Sequence, residues 1–228
     1  MHSNKVSLQE VFGLKKFLAL VMTIILTCSG LSVSARDLFT DVPETDWAAP
    51  YIYNLVDRGV VGGYGDGTFK PWDNVQRCEY AKMLVNIAGI SIVSSSVSPY
   101  TDVPADQWFF PYINSAPFIT GYVENGILFF APEDAASRED VTVAMIKVLG
   151  INVVDTATAT EYLSARFSDW QSISTHNLGY IAAAVNAGII TGDADGTFRP
   201  GDPIIRAEVV AVLYRAFPDE HNVEANKL

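Results

Sequence analysis

Apolar residues follow Arg77 at three, six, seven, ten and eleven positions: Tyr80, Met83, Leu84, Ile87 and Ala88. The same spacing gives Val141, Ala144, Met145, Val148 and Leu149 after Arg138, and Val209, Val212, Leu213, Ala216 and Phe217 after Arg206. This is the buried stripe of an amphipathic helix, written three times. A shorter stripe precedes each one. Tyr51-Ile52 with Leu55-Val56, and Tyr180-Ile181 with Ala184-Val185, recur at helical spacing. In the middle unit Tyr112-Ile113 runs into Ala116-Pro117, and that proline should end the helix early.

The landmarks share one register. Tyr51, Tyr112 and Tyr180 lie 61 and 68 residues apart, and so do Pro71, Pro132 and Pro200 and the three arginines. Between the helices, Gly63 to Pro71 matches Gly192 to Pro200. Asp-Gly pairs in both supply turns, and Phe69 and Phe198 are expected to plug the core. The middle loop after Gly121 is longer. Ser137-Arg138-Glu139-Asp140 approximates a capping box, whereas Gln76 and Ile205 are poor caps. Residues 91–99 and 152–164 read as linkers, the second partly helical.

One such unit of about 55 residues cannot bury its own apolar face well, so three should close on one another. The expected fold is mainly α, three helix-loop-helix repeats in one body of pseudo-threefold character. The expected segments are a leader over 1–35, repeats over 36–98, 99–164 and 165–217, and a polar tail over 218–228.

The leader reading rests on Lys15-Lys16, an uncharged stretch from Phe17 to Ala35, and the small-residue ending Val33-Ser34-Ala35. A retained anchor is the alternative, since the stretch is just long enough to cross a bilayer. Leu26-Thr27 before Cys28 is a poor lipidation signal. Cleavage after Ala35 would leave 12 basic and 25 acidic residues, a formal charge of −13. That balance argues against nucleic acid or an anionic membrane surface as partner. Only Cys78 would remain, so no internal disulfide could form.

The arginines carry the candidate chemistry. Each stands at a helix start, beside the positive end of the macrodipole, where a cation is disfavoured. Such a charge, repeated three times, suggests an anionic counterpart. It could be a ligand, or an acid of the protein such as Glu79 or Glu208.

These segments resemble three S-layer homology modules. Phe39-Thr40-Asp41-Val42-Pro43 with Trp47 and Tyr51 is similar to that family's opening signature. So is Tyr100-Thr101-Asp102-Val103-Pro104 with Trp108 and Tyr112, and more weakly Phe167-Ser168-Asp169. The Gly-Tyr-x-Asp-Gly-Thr-Phe-x-Pro segment appears at Gly63 to Pro71 and, altered, at Gly192 to Pro200. The Thr-Arg-Ala-Glu helix start appears as Gln76-Arg77-Cys78-Glu79 and Ile205-Arg206-Ala207-Glu208.

The resemblance implies a three-pronged spindle and a non-catalytic cell-envelope anchor, exported to the cell surface. Grooves between prongs would grip a secondary cell-wall polysaccharide through a pyruvate ketal on N-acetylmannosamine. By position, Arg77, Arg138 and Arg206 would meet the anion. Trp47, Trp108, Asp41, Asp102, Asp169, Gly63-Tyr64 and Gly121-Tyr122 would shape the grooves. A guanidinium fork suits a planar carboxylate, and a helix start would add free N–H donors. On this reading Arg77→Ala or Arg138→Ala weakens binding by roughly 1.5–3 kcal/mol without unfolding the domain. The tryptophans could equally be core, and the aspartates could equally cap loops.

The third unit departs from the pattern, with His176 in place of Trp47 and Trp108, Asp193 in place of Tyr64 and Tyr122, and Trp170 after Asp169. A calcium loop at Asp193-x-Asp195-Gly196 would need an acid at Thr191. No zinc or Gly-x-Ser-x-Gly motif stands in the chain, and no metal or cofactor is expected. The alternatives are a structural or protein-binding envelope component and a carbohydrate-acting enzyme.

Overall fold

The computed structural model describes residues 38–219, so the expected leader and most of the expected tail lie outside the described residues. The fold is mainly helical. The principal helices are α1 (Ala49–Asp57), α2 (Arg77–Ile87), α3 (Phe110–Ser115), α4 (Arg138–Leu149), α5 (Thr156–Ser164), α6 (Leu178–Asn186) and α7 (Arg206–Ala216). A hairpin of β1 (Tyr122–Glu124) and β2 (Ile127–Phe129) stands between α3 and α4.

The periodic stripes become helices where the pattern placed them, α2, α4 and α7 each starting at its arginine. Pro50 and Pro111 sit at the first turns of α1 and α3, where a missing N–H costs nothing. Pro117 ends α3 after six residues, as its ring requires. The linker over 152–164 is helical through α5, capped by Asp155, whose carboxylate accepts the Thr158 N–H at 3.0 Å.

The long middle loop is a hairpin, which its length alone did not reveal. Asn125 and Gly126 both take positive φ, the conformation of a two-residue turn matched to strand twist.

The packing partner of each long helix is the short helix of another unit. α2 packs on α3, α4 on α6, and α7 returns to α1. Three backbone hydrogen bonds ahead of these helices form a closed cycle. Ala136 N–H donates to the Val75 carbonyl (2.8 Å), Val75 N–H to Ile204 (3.0 Å), and Ile204 N–H to Ala136 (3.0 Å).

A single buried cluster runs through the units, with Ile52, Leu55, Tyr80, Leu84, Met145, Ile146 and Ile181 at its centre. Phe69 and Phe198 are fully buried beneath their loops, and Phe130 fills the same position after the hairpin. Burying aromatic rings of this size contributes on the order of 2–3 kcal/mol each.

Candidate ligand-binding clefts

The loop before each buried phenylalanine is held by an aspartate. Asp41 accepts the Phe69 and Lys70 N–H groups at 2.8 and 2.7 Å, one on each oxygen. Asp102 does the same for Phe130 and Ala131, and Asp169 for Phe198 and Arg199. Lys70, Ala131 and Arg199 have φ of 57°, 55° and 56°, a left-handed conformation that costs a non-glycine residue about 1–2 kcal/mol. The carboxylates stabilise that conformation. Each oxygen bonds the loop, the capping role that the sequence left open beside groove shaping.

Gly63 and Gly121 are required by packing. A Cβ on Gly63 would collide with the Phe39 ring and the Thr68 carbonyl, and one on Gly121 with the Phe129 carbonyl and the Tyr100 ring. Both shape the loops that carry them, and Gly63 lines the first cleft.

The arginines are buried, with 9%, 6% and 3% of Arg77, Arg138 and Arg206 exposed. Arg206 donates through Nε to the Phe69 carbonyl (3.0 Å), through Nη2 to Gly62 (3.3 Å), and through Nη1 to Glu79 (3.3 Å). Arg77 repeats this with Phe130 (2.9 Å), Thr120 (2.7 Å) and Asp140 (3.0 Å). Arg138 reaches the Thr191 carbonyl and pairs with Glu208 at 3.4 Å, while its Nε is left without a partner. Burial pushes the Arg138 pKa down, and Glu208 opposes the shift.

Each arginine therefore meets the third helical residue of a different unit. Sequence reasoning considered Glu79 and Glu208 as pairing partners but missed the cyclic arrangement. The signal was present in Arg77-x-Glu79, Arg138-x-Asp140 and Arg206-x-Glu208. Residues two apart on a helix do not face each other, so each acid must find a cation elsewhere.

The helix starts are occupied too. Arg77, Arg138 and Arg206 N–H donate to the Asp134, Asp202 and Asp73 carbonyls at 2.9, 2.9 and 3.0 Å. The next residues, Cys78, Glu139 and Ala207, donate to Pro132, Pro200 and Pro71, each at 2.9 Å. The expected free N–H donors for an anion are thus taken at the first two positions. Gln76 and Ile205 give no side-chain cap, and the Glu79 and Glu208 carboxylates accept their N–H groups instead.

Three clefts open beside this buried ring. The first, about 450 Å³, is lined by residues 59–64, by Glu79, Lys82, Met83 and Asn86 of α2, by Arg206 and by Trp108. The second, about 160 Å³, joins Arg138, Thr191, Gly192 and Asp193 to Glu208 and Arg215 of α7 and to Trp47. The third, about 240 Å³, joins Thr120 to Asp140, Val143 and Lys147 of α4 and to His176. In each, residues of a loop and a long helix line the cleft together with Trp108, Trp47 or His176.

Trp47 and Trp108 are 46% and 50% exposed, which makes them walls and not core. Tyr64 donates its hydroxyl to Glu79 at 2.7 Å, and burial, then that bond, raises its pKa to about 12. Tyr122 departs from its expected place. On β1 it lines an open acidic hollow with Asp102, Gln107 and Glu133.

Asp195 is engaged by the Thr197 N–H and hydroxyl, and Asp193 by Arg199, so the turn accounts for both carboxylates. Among the described residues no group of three or more His, Cys, Asp or Glu could hold a metal, and no helix is long and apolar enough to cross a membrane. Burial, then the Glu79 charge, raises the Cys78 pKa to about 12. In the native protein a thiol-specific disulfide reagent should leave Cys78 unmodified at pH 8, with full reaction only after denaturation.

Residues 38–81 and 166–210 match the S-layer homology domain. The chain is similar to an amylopullulanase of Thermoanaerobacterium thermosulfurigenes, 27% identical over 81% of this chain and 10% of that protein. It is 29% identical to an endoglucanase of Bacillus sp. (strain KSM-635), over 77% of this chain and 18% of the enzyme. A surface-layer 125 kDa protein of Lysinibacillus sphaericus is 26% identical over 92% of this chain and 17% of its own length. The chain thus spans less than a fifth of each of these three relatives. The two matched segments, together with the likeness to a surface-layer protein, mark it as a cell-surface protein carrying S-layer homology sequence.

Proposed function

We propose that this chain is a non-catalytic anchoring module of the cell envelope, in which three S-layer homology repeats form a pseudo-threefold body. The repeats span 36–98, 99–164 and 165–217. The clefts between them bind a secondary cell-wall polysaccharide, and pyruvylated N-acetylmannosamine is the sugar recognised.

The observation that carries this reading is the first cleft. Its 450 Å³ volume suits a sugar residue, an exposed indole forms one wall, and carboxylate, phenol and cationic groups line the rest. An indole face covers the apolar side of a pyranose ring, while its hydroxyls bond to polar side chains and backbone. Binding of this kind needs no metal and no general base. The closed cycle of backbone bonds and the three α–α pairings support the single-body arrangement.

The full chain is expected to sediment with purified cell-wall sacculi and to stop doing so after chemical removal of pyruvate. Binding that survives depyruvylation would overturn the pyruvate assignment. Absence of binding to native wall would overturn the anchoring role itself.

A further inference from the structure

We propose that the ligand's negative charge is met by an outer set of cations, Lys82, Lys147 and Arg215, and not by the arginines at the helix starts. The proposal rests on the polysaccharide reading above and names the residues that give it charge selectivity.

The inner arginines are poor candidates on geometry. Arg206 has a side chain only 4% exposed, and its three nitrogens already donate to two carbonyls and Glu79. Arg77 is engaged in the same way. Their charges are matched within the protein by Glu79 and Asp140, so they add little net attraction for a ligand carboxylate.

Each outer cation lines one cleft, and among the described residues none of the three forms an ion pair. Each also stands over an aromatic ring. Lys82 Nζ lies 5.5 Å from the Trp108 ring and 5.6 Å from Tyr112. Lys147 Nζ is 5.4 Å from Tyr180, and the Arg215 guanidinium 5.9 Å from Tyr51. The rings under the cations thus include the three tyrosines of the sequence repeat. A ring face attracts the cation and limits its wandering, while leaving its N–H donors available to a ligand.

The positions fit one design. Lys147 and Arg215 each stand nine residues into their helix, where α2 carries Asn86. Lys82 sits four residues before Asn86, one turn earlier on the same face. Within a chain of formal charge −11, each of these three clefts thus presents a cation that, among the described residues, pairs with no acid. The ligand class is a saccharide bearing a carboxylate, its ring against the indole and its charge against the cation.

The test measures affinity of the full chain for purified sacculi, with urea unfolding on the same samples. Lys82→Gln should weaken binding about tenfold, and the triple variant with Lys147→Gln and Arg215→Gln about hundredfold or more, the scale of lost charge-assisted contacts. The unfolding midpoint should not move, Lys82→Arg should retain most of the affinity, and the salt dependence should flatten. If native sacculi bind in a pyruvate-dependent way but the triple variant binds like wild type, the outer cations are not the contact and the polysaccharide reading stands. If affinity falls only in step with the unfolding midpoint, the cations are structural and the proposal is wrong. If wild type ignores pyruvate, both the reading and the proposal built on it fail.

Discussion

Arg206→Ala should destabilise the protein by about 3–5 kcal/mol, the cost of removing one partner from a buried ion pair. The truncation leaves the Phe69 and Gly62 carbonyls without their donors and Glu79 without its cation. Tyr64 and the Gln76 N–H still bond Glu79, which holds the effect toward the lower end. Arg206→Lys keeps the charge but cannot donate in three directions, so about half the loss is expected. The urea midpoint should fall with the slope unchanged. This reverses the effect the sequence suggested for the helix-start arginines, weaker binding in an intact domain. An unmoved midpoint with lost wall binding would return Arg206 to the ligand.

The difference between those two outcomes shows what the sequence could and could not express. Helices starting at Arg77, Arg138 and Arg206 were legible because burial periodicity is local. So were the buried plugs Phe69 and Phe198, which follow turn chemistry that a few residues define. The electrostatic clue was also sound, since a cation at a helix start does have an anionic counterpart. Its identity depends on Asp140, Glu208 and Glu79 arriving from other units, a distance relation no single window contains. The hairpin of β1 and β2 was missed because its strands are three residues each, too short for alternation to register. Lys82, Lys147 and Arg215 were passed over because Lys82 stands one turn before the position that Lys147 and Arg215 share. Only the folded helix face brings them into equivalent places.

Asp41→Asn should cost about 3 kcal/mol, although the side chain keeps its shape. The carboxylate offers one oxygen to each of two N–H groups, at 2.8 and 2.7 Å. An amide can accept only one of them and turns a second donor against the other. Each lost bond to a charged acceptor is worth about 1.5–3 kcal/mol, and the left-handed Lys70 loses its restraint as well. The consequence travels. Phe69 follows the loop, and its carbonyl is the acceptor for Arg206 Nε at 3.0 Å. Once the loop slackens, Arg206 has less to hold, so its removal should then do less harm. The double variant Asp41→Asn with Arg206→Ala should accordingly be more stable than the two single losses predict, by about 1 kcal/mol in a double-mutant cycle. Additivity to within about 0.5 kcal/mol would mean that the aspartate and the arginine secure independent parts of the fold.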